Sequence, residues 1–268
     1  MIIWIASYPK SGNTWLRLFL ESYFSNIKNN FKFGGFPDPE DYKKINLDYT
    51  KINELIKNWK ILQDIKNLNG KTNLLKTHNA LCRIGKYTFT DKTNTLGAIY
   101  IVRDPRDIII SYANHLGLRH EEVLKYMLDK NAFGVKKHFG KDIDVDVMGR
   151  WSDNYNSWKN YKDRQFIFIK YENLVSNTKE EFLRILKYLN KLTNIEVNIE
   201  QMHKSIEETS FEKLKKKEQI YGFDQATGNG PFFRKGIVGD WKNNLDKEIV
   251  SKIEEEFESE MKELGYLS

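Results

Sequence analysis

Residues 2–20, IIWIASYPKSGNTWLRLFL, form the stretch that decides the fold. The opening apolar run is rich in β-branched and aromatic residues, which predicts a buried strand. After a short turn, Trp15, Leu16 and Phe19 recur at helical spacing. A strand that turns tightly into a helix directs several backbone N–H groups, and the positive end of the helix dipole, toward one point. The stretch therefore predicts a binding site for an anion such as phosphate or sulfate.

The side chains of the turn support the same interpretation. Lys10 adds a positive charge, while Ser11 and Thr14 add hydroxyl donors. Gly12 allows the backbone to approach a bound group closely. An ordinary turn in which Ser11 or Asn13 caps the helix is the alternative, but such a turn gains nothing from a lysine. The turn is not a Walker A loop, because the lysine of that motif follows its second glycine, whereas here it precedes the only one.

The composition is typical of a globular enzyme and not of a disordered chain. Of 268 residues, 40% are hydrophobic and only 5 are prolines, and this length suits a single α/β domain over residues 1–268. The net charge of +6 would suit an anionic cosubstrate, although scattered lysines are equally typical of a solvated surface. No block of basic residues is interleaved with aromatic ones, so we do not expect a nucleic acid partner.

Two further features restrict the class of protein. Cys82 is the only cysteine, which excludes a disulfide framework and a cysteine-based zinc site. The sequence shows neither the pattern of a secretory signal peptide nor a window apolar enough to span a membrane. We therefore expect a cytoplasmic protein without a membrane span.

The rest of the chain alternates between strand and helix patterns. We predict strands over 72–77, 96–102 and 165–170, short helices within 41–68, helices over 179–190, 207–217 and 246–264, and loops over 28–39 and 221–231. The alternation predicts an α/β fold with a central parallel sheet flanked by helices. Ligands of such sheets bind at the carboxyl ends of the strands, and the candidate residues belong there.

Two candidates lie at the end of the strand predicted over 72–77. Lys76 and His78 are separated only by Thr77 in the sequence LLKTHNA. A histidine in such a place is often only structural. Near the Lys10 turn it becomes a candidate base, since histidine accepts a proton near neutral pH.

Arg103 directly follows the strand predicted over 96–102. Its planar guanidinium can bind a phosphate through two hydrogen bonds. Ser111 lies eight residues further on, about two helical turns along the next helix. An ion pair that stabilises the helix start is the alternative interpretation for the neighbouring Arg106 and Asp107.

A third basic segment, FFRKGIVGDWKN, occupies residues 232–243. Taken alone, its Arg234, Lys235 and Gly236 suit either an anion clamp or a solvated basic turn. The glycine-rich loop over 221–231 precedes this segment and could close over a bound ligand.

Together these segments resemble the cytosolic-type sulfotransferase family, whose donor is 3′-phosphoadenosine 5′-phosphosulfate (PAPS). SYPKSGNTW resembles the family's 5′-phosphosulfate loop, which usually reads close to TYPKSGTTW. IYIVRDPRDIIISY resembles its 3′-phosphate segment, with the same spacing from arginine to serine, and RKGIVGDWKN resembles RKG-x-x-GDWKN almost letter for letter. Lesser matches follow in family order over nearly the whole chain: GRWSDNYNSW at 149–158, KYENL at 170–174 and TSFEKLK at 209–215.

The resemblance implies a P-loop-like sulfotransferase fold and a role for each matched residue. His78 would be the general base, Lys10 would stabilise the leaving phosphate, and Lys76 would contact the transferring sulfuryl group. The 5′-phosphosulfate would be cradled by Lys10, Ser11, Gly12, Asn13, Thr14 and Trp15. The 3′-phosphate and the nucleoside would be held by Arg103, Ser111, Tyr171, Thr209, Phe211, Phe233, Arg234, Lys235 and Gly236. This arrangement requires no metal, because lysine, arginine and helix N–H groups meet the charges.

We therefore predict a short sulfotransferase that moves a sulfuryl group from PAPS to a hydroxyl, or less often an amine, of a small-molecule or glycan acceptor. A P-loop nucleotide kinase and a non-catalytic adenosine-bisphosphate-binding protein are the alternatives. Asn13 departs from the threonine that is frequent in the family. The segment after GDWKN lacks the family's dimerisation pattern, which puts the family's mode of dimerisation in doubt. The identity of the acceptor is not transferred by resemblance either.

Overall fold

The computed structural model describes residues 1–25, 27, 29–36, 38–48, 51–138, 141–162, 165–227 and 230–268. Within these residues the strands are β1 (Ile2–Ser7), β2 (Phe31–Gly35), β3 (Thr72–Thr77), β4 (Arg83–Ile84), β5 (Tyr87–Thr88), β6 (Thr95–Val102), β7 (Phe133–His138), β8 (Lys141–Val147) and β9 (Phe166–Lys170). The helices are α1 (Asn13–Ser25), α2 (Pro39–Lys44), α3 (Ile52–Asn67), α4 (Pro105–Leu116), α5 (His120–Leu128), α6 (Trp151–Lys159), α7 (Tyr171–Ser176), α8 (Thr178–Thr193), α9 (Ile199–Glu208), α10 (Phe211–Tyr221), α11 (Trp241–Asn244), α12 (Lys247–Glu256) and α13 (Glu258–Glu263).

One sheet contains β2, β3, β1, β6 and β9 in that order, and each neighbouring pair is parallel. The middle strand is β1, and all of its residues are buried. Ile5 of β1 pairs with Lys76 of β3 and with Ile99 of β6, so the carboxyl ends of these strands lie at one edge. Separate antiparallel hairpins join β4 to β5 and β7 to β8. The predicted α/β fold with a central parallel sheet is confirmed.

Two hydrophobic cores cover the two faces of the sheet. Alternate residues of a strand point to opposite faces. Ile3 and Ile5 pack in one core with α1 and α8, where the rings of Phe19 and Phe182 stack with centroids 3.7 Å apart. Trp4 packs in the other core with residues of α3, α6 and α12. Because both faces of β1 are covered, the turn that follows it starts from a fixed position.

The prediction of a loop over 28–39 is wrong, because residues 31–35 form β2 at the edge of the sheet. The ring centroids of Phe31 and Phe33 lie 4.3 and 6.3 Å from that of Phe24 in α1. These contacts and the pairing with β3 stabilise a strand that its glycines and polar neighbours conceal in the sequence. Residues 28 and 37 of this segment lie outside the described residues.

Two of the predicted helices are divided in the structure. The helix predicted over 207–217 is interrupted between α9 and α10, where the hydroxyl of Thr209 donates to the carbonyl oxygen of Ser205 at 2.7 Å. Such bonds between side chain and backbone are frequent at helix ends. The helix predicted over 246–264 is divided at Phe257, whose buried ring packs 5.0 Å from that of Trp151. Within 41–68, α3 spans 16 residues and is longer than predicted.

Candidate active site

The turn between β1 and α1 has the backbone geometry of an anion cradle. Lys10 and Gly12 have φ angles of 64° and 102°, in the left-handed region. A lysine in that region is uncommon, and such strain concentrates at functional sites. Gly12 cannot be replaced without a shift, because a Cβ atom would lie 2.6 Å from Cδ2 of Tyr171. Because α1 begins directly after the turn, its first N–H groups, which lack partners within the helix, open toward it.

Buried polar atoms at this edge indicate that a ligand binds there. Ser11 is fully buried, and its Oγ has no hydrogen-bond partner within the described part of the chain. The same holds for Nε of the buried Arg103. Because buried polar atoms are normally paired, these two donors indicate a bound acceptor group. Asn13 acts differently: its Nδ2 donates to the carbonyl oxygen of Ile5 at 2.8 Å and ties α1 to β1.

Lys10 has an electrostatic environment that suits a bound anion. Its pKa is lowered to about 7 by burial and, to a smaller extent, by the charges of Lys76 and Arg103. The ammonium group lies 3.9 Å from the ring centroid of Phe232. A phosphate beside this ammonium would favour the charged form and relieve the repulsion among the three cations.

Gln225, in the loop after α10, accepts hydrogen bonds from two residues of the predicted site. Its Oε1 accepts a hydrogen bond from Nζ of Lys76 at 3.3 Å and another from the hydroxyl of Thr14 at 3.1 Å. A cationic donor and a hydroxyl donor therefore meet on one acceptor oxygen, as they would on an oxygen of a sulfuryl or phosphate group.

Arg103 joins the turn to the segment that carries the RKG sequence. Its guanidinium donates to the carbonyl oxygens of Lys10 and Ile237, both at 3.2 Å. It also lies 4.3 Å from the ring centroid of Tyr171. A cleft opens against Lys10 of the same turn. Its lining includes Lys10, Ser111, Asn114, His115, Phe232 and Arg234.

Asp240 anchors the basic segment. Its carboxylate accepts from Nη2 of Arg234 at 2.8 Å and from Nζ of Lys235 at 2.7 Å. Burial alone would raise the pKa of Asp240, but the hydrogen bonds from Lys235 and Arg234 outweigh burial and lower it. Gly236 has a φ angle of 67°, and a Cβ atom there would lie 2.4 Å from Cδ2 of Phe211. These contacts argue against a solvated basic turn.

Asp107 ties the same segment to the start of α4. Its buried carboxylate accepts from the backbone N–H groups of Gly239 at 2.7 Å and Trp241 at 3.0 Å. Arg106 instead pairs with Asp104 at 2.7 Å. The interpretation of Arg106 and Asp107 as an ion pair is therefore wrong, because Asp104 is the partner that stabilises the helix start.

Aromatic side chains lie beside this clamp. Nε1 of Trp15 donates to the carbonyl oxygen of Thr209 at 2.9 Å. The ring centroids of Trp15 and Tyr171 are 6.3 Å apart, as are those of Phe211 and Phe233. The residues expected at the nucleoside therefore form two contact groups, one against the turn and one against the basic segment.

His78 is held so that one ring nitrogen faces the end of β1. Nδ1 lies 2.7 Å from the carbonyl oxygen of Ser7, and since a carbonyl oxygen only accepts, Nδ1 carries the proton. In the neutral ring, Nε2 is then the nitrogen with the lone pair, as a general base requires. Ser7 ends β1 three residues before Lys10, so the histidine and the turn share one strand end.

Sequence reasoning missed several residues that position this site. The carboxylate of Glu218 accepts from two consecutive backbone N–H groups of the basic segment, those of Phe232 at 2.6 Å and Phe233 at 2.9 Å. Asp240 is the aspartate of the GDWKN match, so the resemblance to the family could have identified it. Glu218 and Gln225 show no local pattern that would have identified them.

Thr227, in the loop predicted over 221–231, contacts the end of α4. The hydroxyl of Thr227 donates to the carbonyl oxygen of His115. The pKa of His115 is lowered to about 4, first by burial and then by the charges of Lys10 and Lys76. Residues 228 and 229 lie outside the described residues, so closure of this loop over a ligand stays a prediction.

Comparison with known proteins places the chain in a family. The family model described as the sulfotransferase domain matches residues 2–265. The chain is 25% identical to sulfotransferase 1E1 of Bos taurus over 272 residues, which cover 96% of this chain and 82% of that protein. It is also 25% identical to the amine sulfotransferase of Oryctolagus cuniculus over 272 residues, which cover 97% of this chain and 81% of that protein.

Solved structures agree with this assignment. The mouse sulfotransferase SULT7A1 complexed with PAP superposes with a TM-score of 0.62 at 27% identity, covering 97% of this chain and 84% of that one. Retinol dehydratase in complex with androsterone and the inactive cofactor PAP has a TM-score of 0.62 at 18% identity, which shows the fold, and covers 97% and 80%.

The fold and the site thus define a nucleotide-dependent group transferase. The chain belongs to the sulfotransferase family, and the prediction of a PAPS-dependent sulfotransferase is confirmed.

Proposed function

We propose that this sulfotransferase moves the sulfuryl group of PAPS to a hydroxyl, or less often an amine, of a small-molecule acceptor, with His78 as the general base. The observation that carries the proposal is the shared strand edge. The carbonyl oxygen of Ser7 holds the ring of His78, Lys10 follows three residues later, and Lys76 precedes the histidine. A base, a cation for the leaving phosphate and a cation for the sulfuryl oxygens are therefore available together.

The residues present suit a donor with a 5′-phosphosulfate and a 3′-phosphate. The turn offers to the first group Lys10, the helix N–H groups and the hydroxyl of Ser11, which has no partner among the described residues. Arg103, Ser111 and the anchored segment 234–236 suit the second. PAPS, when bound, supplies the activated sulfuryl group.

The side chains divide the chemistry among them. His78 accepts the proton of the acceptor hydroxyl at Nε2, which raises the nucleophilicity of the acceptor oxygen for in-line attack. Lys10, with a pKa of about 7 in the free protein, is held in its charged form when it faces a phosphate. Lys76 stabilises negative charge on the sulfuryl oxygens.

A calorimetric titration without magnesium tests the donor site. Adenosine 3′,5′-bisphosphate (PAP) should bind clearly more tightly than adenosine 5′-monophosphate, because only the bisphosphate engages both clamps. Equal or absent binding would mean that Arg103, Ser111 and the basic segment do not act on one ligand. Turnover of PAPS with hydroxyl and amine acceptors then separates an enzyme from a non-catalytic adenosine-bisphosphate-binding protein.

Several expectations remain predictions. These are a cytoplasmic location, a glycan acceptor and the lack of a nucleic acid partner. In the described ranges, no helix is long and apolar enough to cross a membrane. The same ranges hold no group of three or more His, Cys, Asp or Glu side chains that could bind a metal ion. Full turnover in the presence of a chelator would support the metal-independent reaction, and a strict magnesium requirement would contradict it.

A further inference from the structure

The β7–β8 hairpin reaches the turn of His78 through one buried carboxylate. Asp146, near the end of β8, is 5% exposed. Its Oδ1 accepts from the backbone N–H of His78 at 3.1 Å, from Nδ2 of Asn79 at 2.6 Å and from the hydroxyl of Thr77 at 3.4 Å. Donors from three consecutive residues therefore converge on one oxygen atom.

Further hydrogen bonds join the same end of the hairpin to this turn. The backbone N–H of Val147 donates to Oδ1 of Asn79 at 2.8 Å, and the N–H of Ala80 donates to the carbonyl oxygen of Val147 at 2.8 Å. Gly134 permits the close approach, since a Cβ atom there would lie 3.0 Å from Cβ of Asp146. This end of the hairpin is thus packed against the turn of His78.

We infer that Asp146 is a positioning residue for His78, an inference that rests on the proposed role of the histidine. Asp146 holds the backbone N–H of His78, Asn154 donates to its carbonyl oxygen at 3.0 Å, and Ser7 accepts from its ring. These contacts come from three different elements, and together they hold both the backbone and the ring of His78 beside the Lys10 turn. A carboxylate suits this task because its charge strengthens the hydrogen bonds that it accepts.

Asp91 offers a matched control for a purely structural role. It precedes β6 and lies at the opposite, amino-terminal edge of the sheet. Its Oδ1 accepts from the backbone N–H groups of Thr93 at 3.0 Å and Asn94 at 3.2 Å. Asp91→Ala therefore removes a comparable set of hydrogen bonds without reaching the site.

The test compares Asp146→Ala, Asp146→Asn and Asp91→Ala in PAPS turnover and in titration with PAP. A base displaced by about 1 Å loses on the order of a hundredfold in rate, so Asp146→Ala should lower kcat by that factor. The KM for PAPS and the Kd for PAP should stay unchanged. Asp146→Asn keeps an acceptor oxygen and should recover most of the loss. Asp91→Ala should lower Tm but leave kcat unchanged.

Other outcomes would overturn the inference. These are an unchanged kcat in folded Asp146→Ala, or losses of kcat and PAP affinity in equal measure, as a loosened fold would produce. If Asp146→Ala does not fold, Gly134→Ala is measured in its place, because the added methyl group displaces the carboxylate of Asp146. This variant should lower kcat and leave the Kd for PAP unchanged. His78→Gln is measured alongside: if it keeps kcat, the proposed base is wrong, whereas an inactive His78→Gln with a fully active Asp146→Ala overturns only this inference.

Discussion

The turn around His78 and the segment around Arg234 both bring basic groups to the same edge of the sheet, but they are held in different ways. The histidine is fixed by partners from β1, β8 and α6 that are themselves largely buried. Arg234 and Lys235 share the single carboxylate of Asp240, and 28% and 39% of their side-chain surfaces remain exposed.

The difference follows from the two tasks. Proton transfer depends steeply on geometry, whereas attraction between a cation and a phosphate falls only slowly with distance. A base therefore needs a ring with one position, while a phosphate clamp can exchange a carboxylate partner for a ligand. Changes in the first region should act on kcat, and changes in the second should act on PAP affinity.

The largest effect is expected for His78→Gln. Removal of a general base should lower kcat by about a hundredfold to ten-thousandfold, with PAP affinity unchanged, because the ring does not contact the donor's phosphates in this proposal. Steady-state kinetics and calorimetry measure the two quantities. His203→Gln, at an exposed histidine of α9, is the control and should change neither. A parallel loss of PAP affinity would contradict the separation of the two regions.

Arg234→Ala should change the affinity for PAP and not the rate of turnover. Loss of a hydrogen bond between charged groups should weaken PAP binding by about tenfold to a hundredfold, while kcat at saturating PAPS stays close to its original value. Arg184→Ala removes an exposed arginine of α8 that pairs with Glu181, and it should leave binding unchanged. If Arg234→Ala lowered kcat but not affinity, the basic segment would belong to the catalytic region.

The pH dependence of PAP binding sharpens the role of Lys10, whose pKa is about 7 in the free protein. Well below that pH, the lysine is protonated in both free and bound protein. Above it, Lys10 of the free protein loses its proton, whereas Lys10 of the complex keeps the proton because the bound phosphate favours the charged form, so binding takes up a proton. The association constant should therefore fall as the pH rises above 7, by at most about tenfold per pH unit. Lys10→Met should abolish this dependence, and an affinity that rises with pH would refute the assignment.

Gln225→Ala should give the smallest effect, and in the opposite direction. Before PAPS binds, the amide oxygen of Gln225 accepts hydrogen bonds from Thr14 and Lys76. Without this amide, the hydroxyl of Thr14 and the ammonium of Lys76 are available to PAPS. The binding free energy of PAPS should then improve by about 1 kcal/mol, so its KM should fall by about fivefold. Gln201→Ala, in α9, serves as the control in the same assay. A higher KM in Gln225→Ala would show that this amide helps to bind the donor.

Local patterns predicted much of the fold. The strand over 72–77 was found from its short apolar centre, and the helix after the Lys10 turn from the helical spacing of its buried apolar residues. Edge strand β2 was missed, because its stability comes from β3 and from aromatic contacts with α1 that no local period records. The breaks at Thr209 and Phe257 were also missed; there the structure shows a hydrogen bond to Ser205 and a ring contact with Trp151.

The sequence by itself determined the family, the α/β class and the residues at the strand ends, because these depend on short-range periodicity and on motifs whose letters stand together. Only the tertiary structure decided what positions them. Asp146 and His78 are 68 residues apart, and Gln225 and Lys76 are 149 apart. Such pairs form only after the parallel sheet has aligned its carboxyl ends, since hydrogen bonds act over a few ångströms and leave no trace in local spacing.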